Sequence, residues 1–329
     1  MKTKLWLAFI VAFSTLISCT KDEIKETEPL AQPEVVTFSI QSVVSKTSLR
    51  AAAPVVTGKD ARYIVELWNS NKNSRIDRIV QLNNPSFTLI LDRSISYNVA
   101  VWVDYVDDVD DATGTPSDYF YLTTDFQRIV LNSLDGDPDA FDGRVYQTSN
   151  LPARDAFTGI FSFAAGQTYP TTLQVKRPLA RINLVATDAG LWKNRSEVNG
   201  ATLTFRVTNP GYYTFNVLTQ SCVATGLNIE FQNTIDASVY NTYPDNQSQT
   251  VLSGLYFANT NSADNGGNTK TFTLHWQIGT GTEGNITLSD VLFKRNYNTN
   301  FTGGTLFNPV SFTIDANSEY DEPDVDLGF

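Results

Sequence analysis

Histidine, methionine and cysteine are almost missing from these 329 residues: one histidine, one methionine and two cysteines. No Cys/His cluster with zinc spacing can be built from that inventory, and no phosphate-cradling glycine loop is present. A Ser-His-Asp arrangement on His275 is formally open, but no nucleophile elbow accompanies it. His275 sits in an alternating stretch and reads as a strand-face residue, so no catalytic residue, cofactor or metal is expected. Basic residues are also scarce, with Lys and Arg together at 24 against 35 Asp and Glu and a net charge of −11. Nucleic acid needs clustered Lys and Arg, so that partner is excluded, as is a polybasic hold on a membrane. A disulfide framework is excluded as well, because Cys222 has only Cys19 to pair with and reads as a buried, inert thiol. Long 3.6-residue apolar periods are absent too, and only one short helix is expected, near residues 125–134.

What is present begins at the N-terminus. Lys2 and Lys4 precede an apolar run over residues 5–17. That run is too short to span a bilayer, which takes ~20 residues, but suits a signal peptide over residues 1–18. It ends in Leu16-Ile17-Ser18-Cys19, the small residue and cysteine that lipoprotein processing needs. Cys19 is therefore the expected lipidation site; the plainer alternative is a secretory signal with an incidental cysteine. Residues 20–33 alternate Lys, Asp and Glu with Pro29 and Pro33, the composition of a flexible spacer between lipid and fold.

The remaining ~300 residues suffice for two domains. Aromatic and β-branched residues dominate, broken by Asn, Gly and Ser. Period-2 alternation recurs in Tyr63-Ile64-Val65-Glu66-Leu67-Trp68, in Tyr97-Asn98-Val99-Ala100-Val101-Trp102-Val103, and in Thr271-Phe272-Thr273-Leu274-His275-Trp276. Short strands at such spacing predict an all-β chain of two tandem β-sandwich domains, transthyretin- or immunoglobulin-like with Greek-key connections. The pattern breaks over residues 188–200, which divides the chain into an N-terminal sandwich at 51–192 and a C-terminal one at 193–329. Residues 259–269 read as a flexible loop.

Two acidic stretches invite a calcium reading. In 135–143, carboxylates alternate as in a calcium loop, but Ala140 stands where glycine is needed and Tyr146 where the bidentate Glu belongs. Residues 104–111 crowd five carboxylates after a strand. Solvated turns account for both. Trp68, Trp102 and Trp276 could form a sugar-stacking platform, although their alternation with apolar residues favours core packing.

Three short segments carry a family resemblance. The first is Arg62 to Trp68 with Val99-Ala100-Val101-Trp102-Val103-Asp104-Tyr105. The second is Arg154-Asp155-Ala156-Phe157-Thr158-Gly159 with Lys176-Arg177-Pro178-Leu179-Ala180-Arg181-Ile182. The third is Lys294-Arg295-Asn296-Tyr297-Asn298-Thr299 with Gly303, closed by Phe312-Thr313-Ile314-Asp315. In this order the chain resembles the fimbrillin-like lipoproteins of Bacteroides-type bacteria, the subunits and anchors of type V pili. The resemblance implies two non-catalytic sandwiches, lipid attachment to the outer membrane, and a place at the cell surface or in a fimbrium. Its implied partners are other fimbrial subunits, the membrane through the lipid, and host or bacterial surface ligands. Assembly would follow cleavage after an Arg, loss of an N-terminal strand, and entry of a neighbour's strand by β-addition.

The chain can be searched for those parts. Val36, Phe38 and Ile40 alternate with polar neighbours and form the candidate groove-filling strand within residues 19–50. Arg50 and Ala51, in Ser48-Leu49-Arg50-Ala51-Ala52-Ala53-Pro54, form the candidate processing site; Lys46 fits an Arg-specific protease less well, and an ordinary loop is the bland alternative. Val325, Leu327 and Phe329 alternate beyond the acidic 319–324 tail and are the candidate donor strand, with a disordered tail as the alternative. A glycan-binding surface lipoprotein is the rival in the binding class. The rival enzyme would be a hydrolase using paired Asp carboxylates.

Overall fold

The computed structural model describes residues 33–43, 49–50, 53–107, 120–131, 145–147, 151–209, 212–223, 229–258, 269–292, 295–304, 306 and 313–319. Strands dominate. In the first half they are β1 (Pro33–Val43), β2 (Leu49–Arg50), β3 (Lys59–Asn69), β4 (Arg75–Leu82), β5 (Ser86–Asp92), β6 (Tyr97–Asp107), β7 (Tyr121–Leu122), β8 (Ile129–Leu131), β9 (Val145–Gln147), β10 (Phe157–Phe163) and β11 (Thr172–Lys176). There follow β12 (Leu179–Ala186), β13 (Leu203–Asn209), β14 (Thr214–Asn216), β15 (Ser221–Val223), β16 (Ile229–Ile235), β17 (Gln249–Phe257), β18 (Thr269–Ile278), β19 (Glu283–Leu292), β20 (Tyr297–Gly303) and β21 (Thr313–Glu319). The single α-helix among the described residues is α1 (Ala237–Tyr240). None of the described helices is long and apolar enough to cross a membrane.

The described strands form four sheets. The largest runs β2-β1-β11-β10-β6-β3-β4, with β5 attached to β1 alone. The others run β17-β12-β20-β21, β19-β18-β13-β16-β9 and β15-β14-β8-β7. The all-β expectation is met.

The alternation of β3 and β6 does not separate core from solvent; it separates two cores. Tyr63, Val65, Leu67, Val99, Val101, Val103 and Tyr105 pack with β1, β5 and β11. Ile64, Trp68, Ala100 and Trp102 turn the other way, into a second core shared with β12, β13 and β17. A strand covered on both faces gains from an almost continuous apolar run, which both strands have. Trp102 stands edge-on to Tyr121 at 5.2 Å, so Trp68 and Trp102 are core residues as expected.

One local expectation changes. Residues 125–131 do not hold a helix, and 132–134 lie outside the described residues; Ile129–Leu131 is a strand paired with β7 and β14. Phe126 and Ile129 are both buried at a three-residue spacing, which mimics a helical face although a turn joins them. The interruption at 188–200 is itself packed. A 3-10 segment at Ala189–Asn194 buries Trp192, whose ring stacks on Phe205 at 5.4 Å. Gly190 is needed there, since a Cβ would stand 2.2 Å from the Pro244 carbonyl oxygen. Strand β12 leads into this segment and pairs with β17 and β20, both later in the chain.

Candidate functional site: the first strand and the core beneath it

Strand β1 follows the period its sequence dictates. Val36, Phe38, Ile40 and Ser42 are buried, while Val35 and Thr37 face out. Phe38 lies at the centre, its ring 6.0 Å from Phe87 in a stacked arrangement and 6.1 Å from Phe163 edge-on. Burying three such side chains contributes ~1.5–3 kcal/mol each.

The backbone of β1 is held on both sides. It runs antiparallel to β5 from the Pro33↔Asp92 pair to Ser39↔Ser86, a ladder that the Ile40 N–H extends to the Pro85 carbonyl at 2.9 Å. It runs parallel to β11 from Ser39↔Thr172 to Val43↔Lys176. Among the described strands neither neighbour has another long partner: β5 pairs only with β1, and β11 meets β10 at the single register Thr158↔Lys176. Taking β1 away would uncover the first core and leave two strands with unpaired backbone at once.

The candidate processing residue adjoins this strand. Arg50 ends β2, whose backbone pairs Leu49 with Val43 and Arg50 with Ser42. Ala51 lies outside the described residues. So do Cys19, the candidate donor residues Val325, Leu327 and Phe329, the 135–143 stretch and residues 259–268.

The acidic stretch after β6 is partly accounted for. Asp104 does not belong to a solvated turn: it is buried within the strand and accepts from Arg62 Nε at 2.8 Å and from Nη2, a bidentate pair. Asp107 accepts from Lys59, while 108–111 lie outside the described residues. Among the described residues no group of three His, Cys, Asp or Glu could hold a metal ion. His275 stands on β18 with Nε2 3.3 Å from Glu283 Oε2, a strand-face residue. Trp276 is half-buried over Gly284, directly across the β18–β19 pair. Cys222 is half-buried on β15 rather than fully buried.

The second and third of the segments that carried the resemblance meet at a junction that sequence reading missed. Arg177 donates through Nε to Asp155 Oδ2 at 2.7 Å and through Nη1 to Asn296 Oδ1 at 3.1 Å. Arg295 donates through Nε to the Arg177 carbonyl and through Nη2 to Gln220 Oε1 at 3.0 Å. Gln220, held at a φ of 53°, donates in turn to Thr158 Oγ1 at 3.2 Å. Burial lowers the Arg295 pKa to about 10. The Arg177-Pro178 step between two strands was the available signal; nothing in the sequence marks Gln220.

An all-β chain in which β1 closes a core between β5, which has no other partner among the described strands, and β11, which meets β10 at a single register, is the class that fold and site define. None of the curated proteins matches the chain. Similar solved structures include a candidate adhesin from Bacteroides thetaiotaomicron at 12% identity and TM-score 0.45, covering 88% of this chain and 97% of that one. A fimbrial assembly protein from Parabacteroides distasonis is 12% identical at TM-score 0.37, covering 86% of this chain and 100% of that one. A candidate polysaccharide-binding protein from Bacteroides thetaiotaomicron is 10% identical at TM-score 0.45, covering 87% and 99%. Over residues 30–328 the chain matches a family model described as "Family of unknown function (DUF6562)", and it belongs to that family.

Proposed function

We propose that this protein is a lipid-anchored fimbrial subunit or anchor of the bacterial surface, joined to its neighbours by strand complementation and contributing to adhesion without catalysis. One observation carries the proposal. Strand β1 inserts Val36, Phe38 and Ile40 into the first core and is the sole partner of β5 among the described strands. A slot flanked by β5 and β11 and floored by aromatic side chains suits any extended segment with apolar residues at alternate positions. In this proposal β1 is the removable strand, Arg50-Ala51 the cut, and a neighbour's Val325, Leu327 and Phe329 the replacement. The tandem-sandwich arrangement belongs to the same reading, supported by the two cores on opposite faces of β3 and β6. The glycan-binding alternative calls for open aromatic faces. Among the described residues the exposed large apolar side chains are all aliphatic, Val55 and Ile90 the most open.

The test is mass spectrometry of the surface-expressed protein together with palmitate-analogue labelling. A lipid on Cys19 that vanishes in Cys19→Ala, and an assembled population beginning at Ala51, are expected. Equal labelling of both proteins ends the lipoprotein claim, and assembled protein that keeps residues 33–50 ends the exchange claim.

A further inference from the structure

Among the described strands, the outer edge of β5 is an unguarded edge of the largest sheet. In the β1–β5 ladder, directly opposed residues alternate between pairs that exchange both backbone hydrogen bonds and pairs that exchange none. The Ile40 N–H bond to Pro85 fixes the phase, so Phe38↔Phe87 and Val36↔Leu89 are the bonded pairs. Thr88 and Ile90 therefore turn their N–H and C=O groups away from β1, and no other described strand pairs with β5. Their side chains face solvent as well, Ile90 at 73% exposure, beside its register partner Val35 at 67%.

The opposite edge of the same sheet shows what a protected edge looks like. Strand β4 carries Arg75, Asp77 and Arg78. Charges of that kind are the usual defence of an edge against pairing with another chain. From Ser86 to Leu91, β5 reads Ser-Phe-Thr-Leu-Ile-Leu, without a charge or a proline. Such a window is a template for strand addition.

We infer that the β5 edge pairs with the β5 edge of a second copy of this chain, antiparallel about a two-fold axis at Leu89. The occupant is chosen by register. About that axis Thr88 faces Ile90 of the other copy in a bonded pair, and Ile90 faces its Thr88. Asp92, the only charged residue of the strand, stays outside the pairing: its N–H donates to Tyr97 Oη at 3.2 Å, its C=O accepts from the Ile95 N–H at 3.1 Å, and the Ser86 N–H donates to Asn84 Oδ1, so the open edge is Thr88 to Ile90 and is self-complementary about Leu89. An isologous contact of this kind closes on itself and leaves the slot filled by β1 untouched. It is thus independent of strand exchange, and lateral pairing of subunits would add to head-to-tail growth.

The test uses the exported, uncut chain carrying Cys19→Ala, followed by sedimentation over a range of concentrations. A concentration-dependent dimer is expected. Ile90→Lys should weaken it roughly tenfold or more by placing a charge on the paired edge while sparing the fold, because that side chain is already in solvent. Thr88→Pro should act likewise: it removes an outward N–H and leaves the ladder to β1 intact. The double variant Thr88→Cys/Ile90→Cys should form disulfide-linked dimers on oxidation, whereas either single variant should not. A chain that stays monomeric at every concentration overturns the inference. So does a dimer indifferent to both Ile90→Lys and Thr88→Pro, or one cross-linked equally well by the single variants.

Discussion

Phe38 and Phe87 face each other directly across the β1–β5 ladder and stack with ring centroids 6.0 Å apart. One ring belongs to the strand that closes the first core, the other to a strand that pairs with no other described strand. The contact therefore ties side-chain packing to backbone pairing at the same place.

Phe38→Ala should cost the uncut chain ~3–5 kcal/mol, the usual loss for emptying a buried aromatic site. Val35→Ala, on the solvent face of the same strand, should change stability by less than ~0.5 kcal/mol. Equilibrium urea unfolding of the full chain checks both. Equal effects would mean that β1 does not pack as described.

The contrast between those two residues is legible in the sequence itself, because strand alternation is a strict period of two. Val36, Phe38 and Ile40 need only their spacing to be placed on one face. The double burial of β3 is less visible. Tyr63 and Ile64 both look apolar, and nothing local says that each serves a different core. The fate of Asp104 is hidden for a related reason: its partner Arg62 lies 42 residues away, and sequence shows only that carboxylates crowd there. Gln220 is hidden altogether, since its role comes from where Arg295 and Thr158 converge.

The buried Arg62–Asp104 pair should show the asymmetry of internal ion pairs. Asp104→Ala leaves a guanidinium without its bidentate acceptor and should cost ~3–5 kcal/mol. Replacing both, as Arg62→Met with Asp104→Leu, should recover most of that loss, because neither charge then has to be desolvated. A double-mutant cycle in urea measures the coupling; additive losses would contradict the pairing.

Alkaline pH should unfold the protein from the tyrosine range upward. Burial raises the pKa of Tyr256 well above 10.0, and Tyr63, Tyr212 and Tyr243 are raised for the same reason. A group whose folded pKa exceeds its unfolded value contributes stability that is whole below the unfolded value and disappears as pH rises through the folded one. Arg295 has the opposite sign: its lowered folded pKa, about 10, means that the cost of burying its charge is relieved as pH climbs from there toward the usual guanidinium value. Several phenols against one guanidinium decide the direction. The contribution of these groups should be constant below about pH 10 and should fall above it, with phenolate absorbance appearing together with unfolding. Tyr256→Phe should soften the fall. Phenolate formation in a protein that remains folded would show these phenols to be open to water.

The last prediction concerns what a cut at Arg50 does. The β2 ladder that holds Arg50 is two registers long, so it frays at little cost, and low-dose trypsin should reach that bond early. Cutting there severs no contact of β1 itself. The strand keeps its β5 and β11 ladders and the burial of Val36, Phe38 and Ile40, at ~1.5–3 kcal/mol for each side chain. Cleavage should therefore permit exchange without causing it, and the N-terminal fragment should travel with the body on native gels until denaturant is added. An incoming strand has to take over pairing on both sides while β1 leaves. Excess peptide with the β1 alternation should then speed release, whereas the same peptide with Asp at the Phe38 position should not. Deleting residues 324–329 should leave the cut protein as a seated complex that forms no ladder of oligomers on mildly denaturing gels. Two results would count against this account: spontaneous loss of the fragment immediately after the cut, which would mean that the ladders hold little, and undiminished laddering of the tail-deleted protein, which would mean that another segment fills the slot.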